Sequence, residues 1–147
     1  MPTGRSYPPR PIVAVSAAII RDGKVLVVRR ASMPAAGVHT LPGGGVKAGE
    51  TLHEAVIREV AEETGIRIVP VAFAGYREVI ARDADNRVER HFVVLAFAAR
   101  WLAGEPRLNE ELAEAHWLQP AQLAGLITTE GLAEIVAAAF VALEKAT

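Results

Sequence analysis

Between Pro42 and Gly49 the chain sets four glycines, Gly43, Gly44, Gly45 and Gly49, directly ahead of a stretch with helical periodicity. This junction restricts the fold more than any other feature. Residues without side chains cannot propagate a helix, and with Pro34 and Pro42 they make residues 30–49 a long loop. Loops of that length inside compact domains are functional or disordered. Thr51 stands three residues before Glu54, the spacing at which each side chain satisfies a free backbone N–H at a helix start. The chain therefore predicts a helix over residues 52 to about 64, ended by Gly65 in the left-handed conformation. Val56, Val60 and Ile57 mark its buried stripe.

Residues 12–20 and 25–28 are β-branched apolar runs around the turn signal Arg21-Asp22-Gly23-Lys24, which reads as a hairpin. Residues 66–79 and 88–101 read as two long strands, separated by the polar turn Asp83-Ala84-Asp85-Asn86 and expected to pair. After a polar loop, His116-Trp117-Leu118 is a short apolar segment, and Pro120 opens a helical turn. The last helix runs from about Glu130 to Lys145 with Thr129 as its cap. A chain of 147 residues supplies one core, so a single domain is expected over 12–147, behind a flexible arm at 1–11. Strands gathered with two main helices indicate an α/β layered domain, with a cleft formed by loops at one end.

With 16 basic against 17 acidic residues, no whole-molecule field draws in nucleic acid or an anionic membrane. The absence of cysteine excludes disulfides, thiolate metal sites and a cysteine nucleophile, and fits a reducing cytoplasm. Any metal takes oxygen or histidine ligands. The longest apolar runs, 12–20 and 135–143, fall well short of the roughly 20 residues of a membrane-spanning helix. The arm lacks the apolar centre of a secretion signal. A soluble, cytoplasmic protein is expected.

Glu59, Glu62 and Glu63 stand at i, i+3 and i+4, within an arc of about 100° on one helix face. Such carboxylates repel by a few tenths of a kcal/mol per i,i+4 pair. Pairing of Arg58 with Glu62 would make them an ordinary solvated face. Their position beside the glycine loop favours magnesium or manganese, because hard cations take carboxylate oxygens and bind together with phosphates.

Gly44, Glu50, Arg58, Glu59, Val60, Glu62, Glu63, Gly65 and Ile66 fill every fixed position of a known pattern. In these residues the chain resembles the Nudix hydrolase family, and the likeness extends from residue 12 to the end. The resemblance implies an α/β/α sandwich with a mixed sheet between helices. It implies a Mg2+-dependent pyrophosphohydrolase, with Mn2+ as a substitute, cleaving a nucleoside diphosphate linked to another moiety. Glu59, Glu62 and Glu63 would ligate the metal, joined by the carbonyl of Gly44 and supported by Glu50 and Arg58.

Glu110, Glu111 and Glu114 are similar to the family's later acidic loop, and Glu111 best matches an extra metal ligand. The general base is a box glutamate in some relatives and a later carboxylate in others, so both remain candidates here. Arg29 and Arg30, with Gly43, Gly44 and Gly45, resemble the positions that meet substrate phosphate. Lys47 replaces the family's usual glutamate and is expected to point into water. His39, His53, His91 and His116 show no ligand spacing and read as residues without metal. Trp101 and Trp117 read as packing residues.

Marks of specificity outside the box are sparse. Ala81 and Arg82 stand where ADP-ribose hydrolases often carry proline, and residues 82–84 lack the tyrosine of dinucleoside polyphosphate hydrolases. Residues 99–106 look like the corresponding region of MutT. This favours nucleoside triphosphates, cleaved to monophosphate and pyrophosphate, with ADP-ribose or another ADP-sugar as runner-up. A non-catalytic nucleotide sensor is the other class, and the complete set of box carboxylates argues against it. Isomerase chemistry on isoprenoid diphosphates needs a cysteine that the chain lacks. The expected partner is a small-molecule nucleotide, with neither nucleic acid nor membrane, and the alanine-rich closing helix could pack on a second copy in a homodimer as easily as on its own sheet.

Overall fold

Strand β1 (Ile12–Arg21) is apolar at almost every position because both of its faces are covered. In the computed structural model, which describes residues 5–31 and 37–146, Val15, Ala17 and Ile19 point to one core. Ala18 and Ile20 point to a second core on the opposite face. Residues 1–4 of the arm, 32–36 of the expected loop and 147 lie outside the described residues. The hairpin to β2 (Lys24–Arg30) pairs at Ile20↔Val25 and Arg21↔Lys24. There the two strands part.

The expected loop holds two short strands, β3 (His39–Thr40) and β4 (Gly43–Gly45), which corrects the reading of residues 30–49 as unpaired. β3 adds to β2, and β4 adds antiparallel to β1. Glycine blocks a helix but leaves the backbone free to bond a neighbouring strand, and the core strand β1 supplies that edge. On its other side β1 runs parallel to β6 (Val88–Ala103), which pairs antiparallel with β5 (Arg67–Arg82). β7 (Leu112–Leu118) completes the sheet on β2, giving the order β3-β2-β1-β6-β5 with β4 on β1 and β7 on β2. One parallel pairing among antiparallel ones makes the sheet mixed.

Helix α1 (Leu52–Thr64) covers one face and α2 (Leu132–Lys145) the other, so the architecture is the expected sandwich. The start of α1 is the predicted box: Glu54 N–H donates to Thr51 Oγ1 at 3.1 Å, and Thr51 N–H to Glu54 Oε1 at 2.8 Å. Gly65 ends it at φ 83°. Val56 and Val60 are fully buried, each worth about 1.5–3 kcal/mol relative to exposure. Ile57, expected on that stripe, is 42% exposed. The buried arc is centred toward Ala55, Glu59 and Glu63, which turns Ile57 out to its edge.

Helix α2 begins at Leu132 with Gly131 as its cap, later than expected. The Thr129 hydroxyl is instead 3.1 Å from that of Thr40, tying the approach to α2 onto β3. A 3-10 helix (Pro120–Gly125) follows β7, as Pro120 predicted. Leu132, Val136 and Ala139 seat α2 on its own sheet. Among the described residues no helix is long and apolar enough to cross a membrane.

Candidate active site

Arg58 is the hub of the site. Its Nε and Nη2 reach Glu50 at 2.5 and 2.9 Å, its Nη1 reaches Glu59 at 2.8 Å and Glu62 at 3.2 Å, and Nη2 also donates to the Gly45 carbonyl at 3.0 Å. A two-pronged arginine–carboxylate pair is both strong and geometrically strict. It locks the turn after β4 against the helix and sets the direction of the Glu59 carboxylate. These bonds to Arg58, with the Lys47 backbone N–H, hold the Glu50 carboxyl down at about 2. The Arg58 guanidinium is held more firmly protonated than usual by Glu50 and Glu59.

A depressed carboxyl stabilises the fold above its ordinary range, near 4.5, and loses that contribution as pH falls through about 2. Wild type should therefore exceed Glu50→Gln in stability most at neutral pH. Denaturant unfolding across the acid range should show the gap closing between about pH 4.5 and pH 2. A gap of constant size would remove Glu50 from this role.

The three box carboxylates are not equivalent. Glu62 keeps 57% of its side-chain exposure, whereas Glu59 and Glu63 keep 18% and 17%. Oε1 of Glu63 is buried with no hydrogen-bond partner among the described residues. Burial pushes its carboxyl up against the pull of Arg30 and of the Gly43 backbone N–H, and the nearby charges of Glu59 and Glu111 add to the upward push. Nη2 of Arg30 lies 3.3 Å from Glu63 Oε2 and 3.3 Å from the Gly43 carbonyl. Gly44 packs directly on Glu59, where an added Cβ would stand 2.1 Å from Oε2. A buried, incompletely neutralised carboxylate beside a second carboxylate is a donor set for a hard divalent cation.

Residues after β6 bring Glu111 to this cluster. Arg107 N–H donates to the Thr64 carbonyl, and Asn109 Nδ2 donates to the Glu63 carbonyl at 3.4 Å. Asn109 Oδ1 in turn accepts from the backbone N–H groups of Glu111 and Leu112, both at 2.9 Å. The loop is thus folded onto the end of α1. Glu110 is exposed, and Glu114 lies on β7 bonded to Arg29.

A cleft of about 290 Å3 opens beside β4. Its floor is apolar, with Ala14, Val94 and Ala96 among its residues, and Leu132 and Ile135 of α2 form part of its wall. Gly43, Gly44 and Arg30 border it, so the cleft and the carboxylates meet at the glycine strand.

The family model described as the NUDIX domain matches residues 10–139. The chain belongs to the Nudix family. It is 36% identical over 107 residues to an ADP-ribose pyrophosphatase of Methanocaldococcus jannaschii, a match covering 73% of this chain and 61% of that relative. It is also 36% identical over 113 residues to a putative 8-oxo-dGTP diphosphatase 2 of Mycobacterium tuberculosis, covering 76% and 75%. Among solved structures, MutT protein from Methanosarcina mazei Go1 is similar with a TM-score of 0.74 and 29% identity, covering 91% of this chain and 96% of that one. The alignment to the archaeal relative thus leaves more than a third of that protein unmatched.

The Nudix box residues Glu50, Arg58, Glu59, Glu63 and Gly44 come together as one cluster with Glu111 at its side. Arg30 joins it, but Arg29 does not line the cleft and binds Glu114 Oε2 at 2.5 Å instead. Lys47 is exposed and away from the cleft lining. Trp101 and Trp117 pack against the α1-side core, Trp101 under the Arg21 guanidinium at 3.7 Å from its centroid. Three residues escaped the sequence reading: Arg5, Arg77 and Arg90 all line the cleft. Among the described residues Nη1 of Arg90 is buried without a hydrogen-bond partner, and burial makes Arg77 less basic than usual. Arg77 and Arg90 stand in two otherwise half-buried strands, which is their signal in the sequence, whereas Arg5 comes from the arm ahead of β1.

Proposed function

We propose that this Nudix protein is a divalent-metal-dependent pyrophosphohydrolase acting on nucleoside triphosphates, releasing a monophosphate and pyrophosphate. One observation carries the reading: a buried oxygen of Glu63, without a hydrogen-bond partner among the described residues, stands beside Glu59 where an arginine-lined apolar cleft ends at Gly44. Glu59, Glu62, Glu63, the Gly44 carbonyl and Glu111 would hold Mg2+, or Mn2+ in its place. A cation held there would supply charge to offset the anhydride's and would make a coordinated water more acidic. Arg58 keeps the Glu59 carboxylate in position through the bonds described. Arg30, bridging Glu63 and Gly43, meets the phosphate chain as it leaves the cleft. The apolar floor takes the nucleoside, and Arg77 and Arg90 offer donors to its acceptor groups. Glu59 and Glu111 are the two candidates for the group that takes the proton from the attacking water.

The cleft volume supports one nucleoside rather than two linked ones. The archaeal relative's name favours ADP-ribose as the second reading. A panel of nucleoside triphosphates, ADP-sugars and dinucleotides, assayed with Mg2+ for phosphate and pyrophosphate, separates them. The highest kcat/KM is expected for a triphosphate, with pyrophosphate as product. Preference for ADP-ribose would move the assignment to an ADP-sugar pyrophosphatase. Tight binding of one member without turnover of any would make the chain a sensor.

A further inference from the structure

Across β3, β2 and β7 the residues His39, Arg29 and Glu114 are register partners, so their side chains share one face of the sheet. His116, two residues beyond Glu114, lies on that same face. Its register partner Val27 belongs to the α2-side core, whereas Leu26 and Val28 belong to the α1-side core. The row therefore faces away from the glutamate helix. Glu114 Oε2 accepts from Arg29 Nε at 2.5 Å, while Oε1 stands 2.8 Å from His116 Nε2 and 3.9 Å from His39 Nε2.

His39 is 9% exposed. Its Nδ1 is 3.4 Å from the Ile127 carbonyl, which can only accept, and in the neutral tautomer that donates to it the lone pair lies on Nε2. Among the described residues Nε2 makes no hydrogen bond; the nearest acidic atom, Glu114 Oε1, is too distant. In that tautomer a nitrogen lone pair faces a carboxylate oxygen, and two such acceptors are reconciled by a cation between them.

We propose that His39 Nε2, Glu114 Oε1 and His116 Nε2 form a transition-metal site of the zinc class, distinct from the carboxylate cluster of α1. The three ligand atoms all lie within 4.8 Å of one another. Tetrahedral zinc, with bonds near 2.0–2.1 Å, wants such atoms about 3.3 Å apart, which side-chain shifts of about 1 Å provide. Two imidazoles and one carboxylate select zinc, cobalt or nickel over magnesium. Both the carboxylate and the buried imidazole already have the outer partners that orient metal ligands, Arg29 and the Ile127 carbonyl. Three protein ligands leave a fourth position for water. The ion would clamp β3 to β7 across β2, and Thr40, next to His39, lines the nucleotide cleft.

The test uses tag-free, chelator-treated full-length protein titrated with Co2+ and followed by its visible absorption. One equivalent is expected to bind with a four-coordinate spectrum, and Zn2+ should displace it. His116→Ala, at an exposed position, and Glu114→Gln should weaken Co2+ by more than the 10–100-fold loss typical of outer partners alone. The Glu59→Gln, Glu63→Gln double variant should keep the band. Loss of the band in that double variant, or equal Co2+ binding by wild type and His116→Ala, overturns the site and leaves Glu114 as an ion-pair partner of Arg29 and His116.

Discussion

Glu63→Gln is expected to lower kcat by about three orders of magnitude while the chain stays folded, and Glu59→Gln to do nearly the same. The amide keeps the shape of the side chain but removes the charge that a cation needs. Loss of one fixed electrostatic partner costs about 10²–10³ in rate, and weakened metal adds to this. Stability separates this role from a structural one. Burial raises the Glu63 carboxyl above its ordinary range, so the ionised form is the disfavoured one in the metal-free protein. Its contribution to stability is fully present at low pH and is lost as pH rises through the raised folded value.

Gln carries no charge to lose. At neutral pH without metal, the variant should melt at or above the wild-type temperature. Added Mg2+ should then raise the wild-type Tm and leave the variant unmoved, because only the state that binds is stabilised. Turnover close to wild type, or equal Mg2+ shifts in both proteins, would contradict the assignment of Glu63.

What the sequence revealed of this arrangement was local. Thr51, Glu54 and Gly65 act within a few residues of one another, and the helix they bound was readable from spacing alone. Arg58 reaches Glu59 and Glu62 on its own helix and Glu50 on the preceding turn; spacing offered only its pair with Glu62, and its supporting place beside Glu50 came from the family resemblance. Ile57 was misread because apolar spacing cannot tell which edge of a stripe the sheet covers. The sheet covers the Glu63 side, and this leaves the side chains of Glu59 and Glu63 largely buried while Glu62 stays exposed. The strands inside the glycine loop depend on an edge of β1 that no short window contains. Arg77 and Arg90 reach the same cleft from two separate strands, and β3, β2 and β7 are what bring His39 to Glu114 and His116. Each of these meetings is a matter of register between distant segments, which composition and periodicity do not encode.

The neighbouring glycines of β4 should fail in opposite ways when each is changed to alanine. At Gly43 a Cβ would stand 2.0 Å from the Val15 carbonyl oxygen and 2.7 Å from Ser16 Cα. Both atoms are backbone of the central strand, so relief requires parting β4 from β1. Overpacking of this kind costs about 3 kcal/mol, a fall of about 10 °C in Tm for a chain of this size. At Gly44 the Cβ instead meets the Glu59 carboxylate, 2.1 Å from Oε2 and 2.4 Å from Cδ. That group ends a flexible side chain and can swing aside, leaving the strand pairing intact. It cannot swing aside and keep its place beside Arg58 and Glu63. A catalytic group displaced by about 1 Å costs about 10²-fold in rate. Gly44→Ala should therefore melt within a few degrees of wild type and lose about two orders of magnitude in kcat, whereas Gly43→Ala should lose stability first. Thermal melts paired with steady-state kinetics on both variants distinguish the two. Full activity in Gly44→Ala would mean that Glu59 does not work from the position seen here, and would overturn the proposal that the cluster at β4 is the reacting centre.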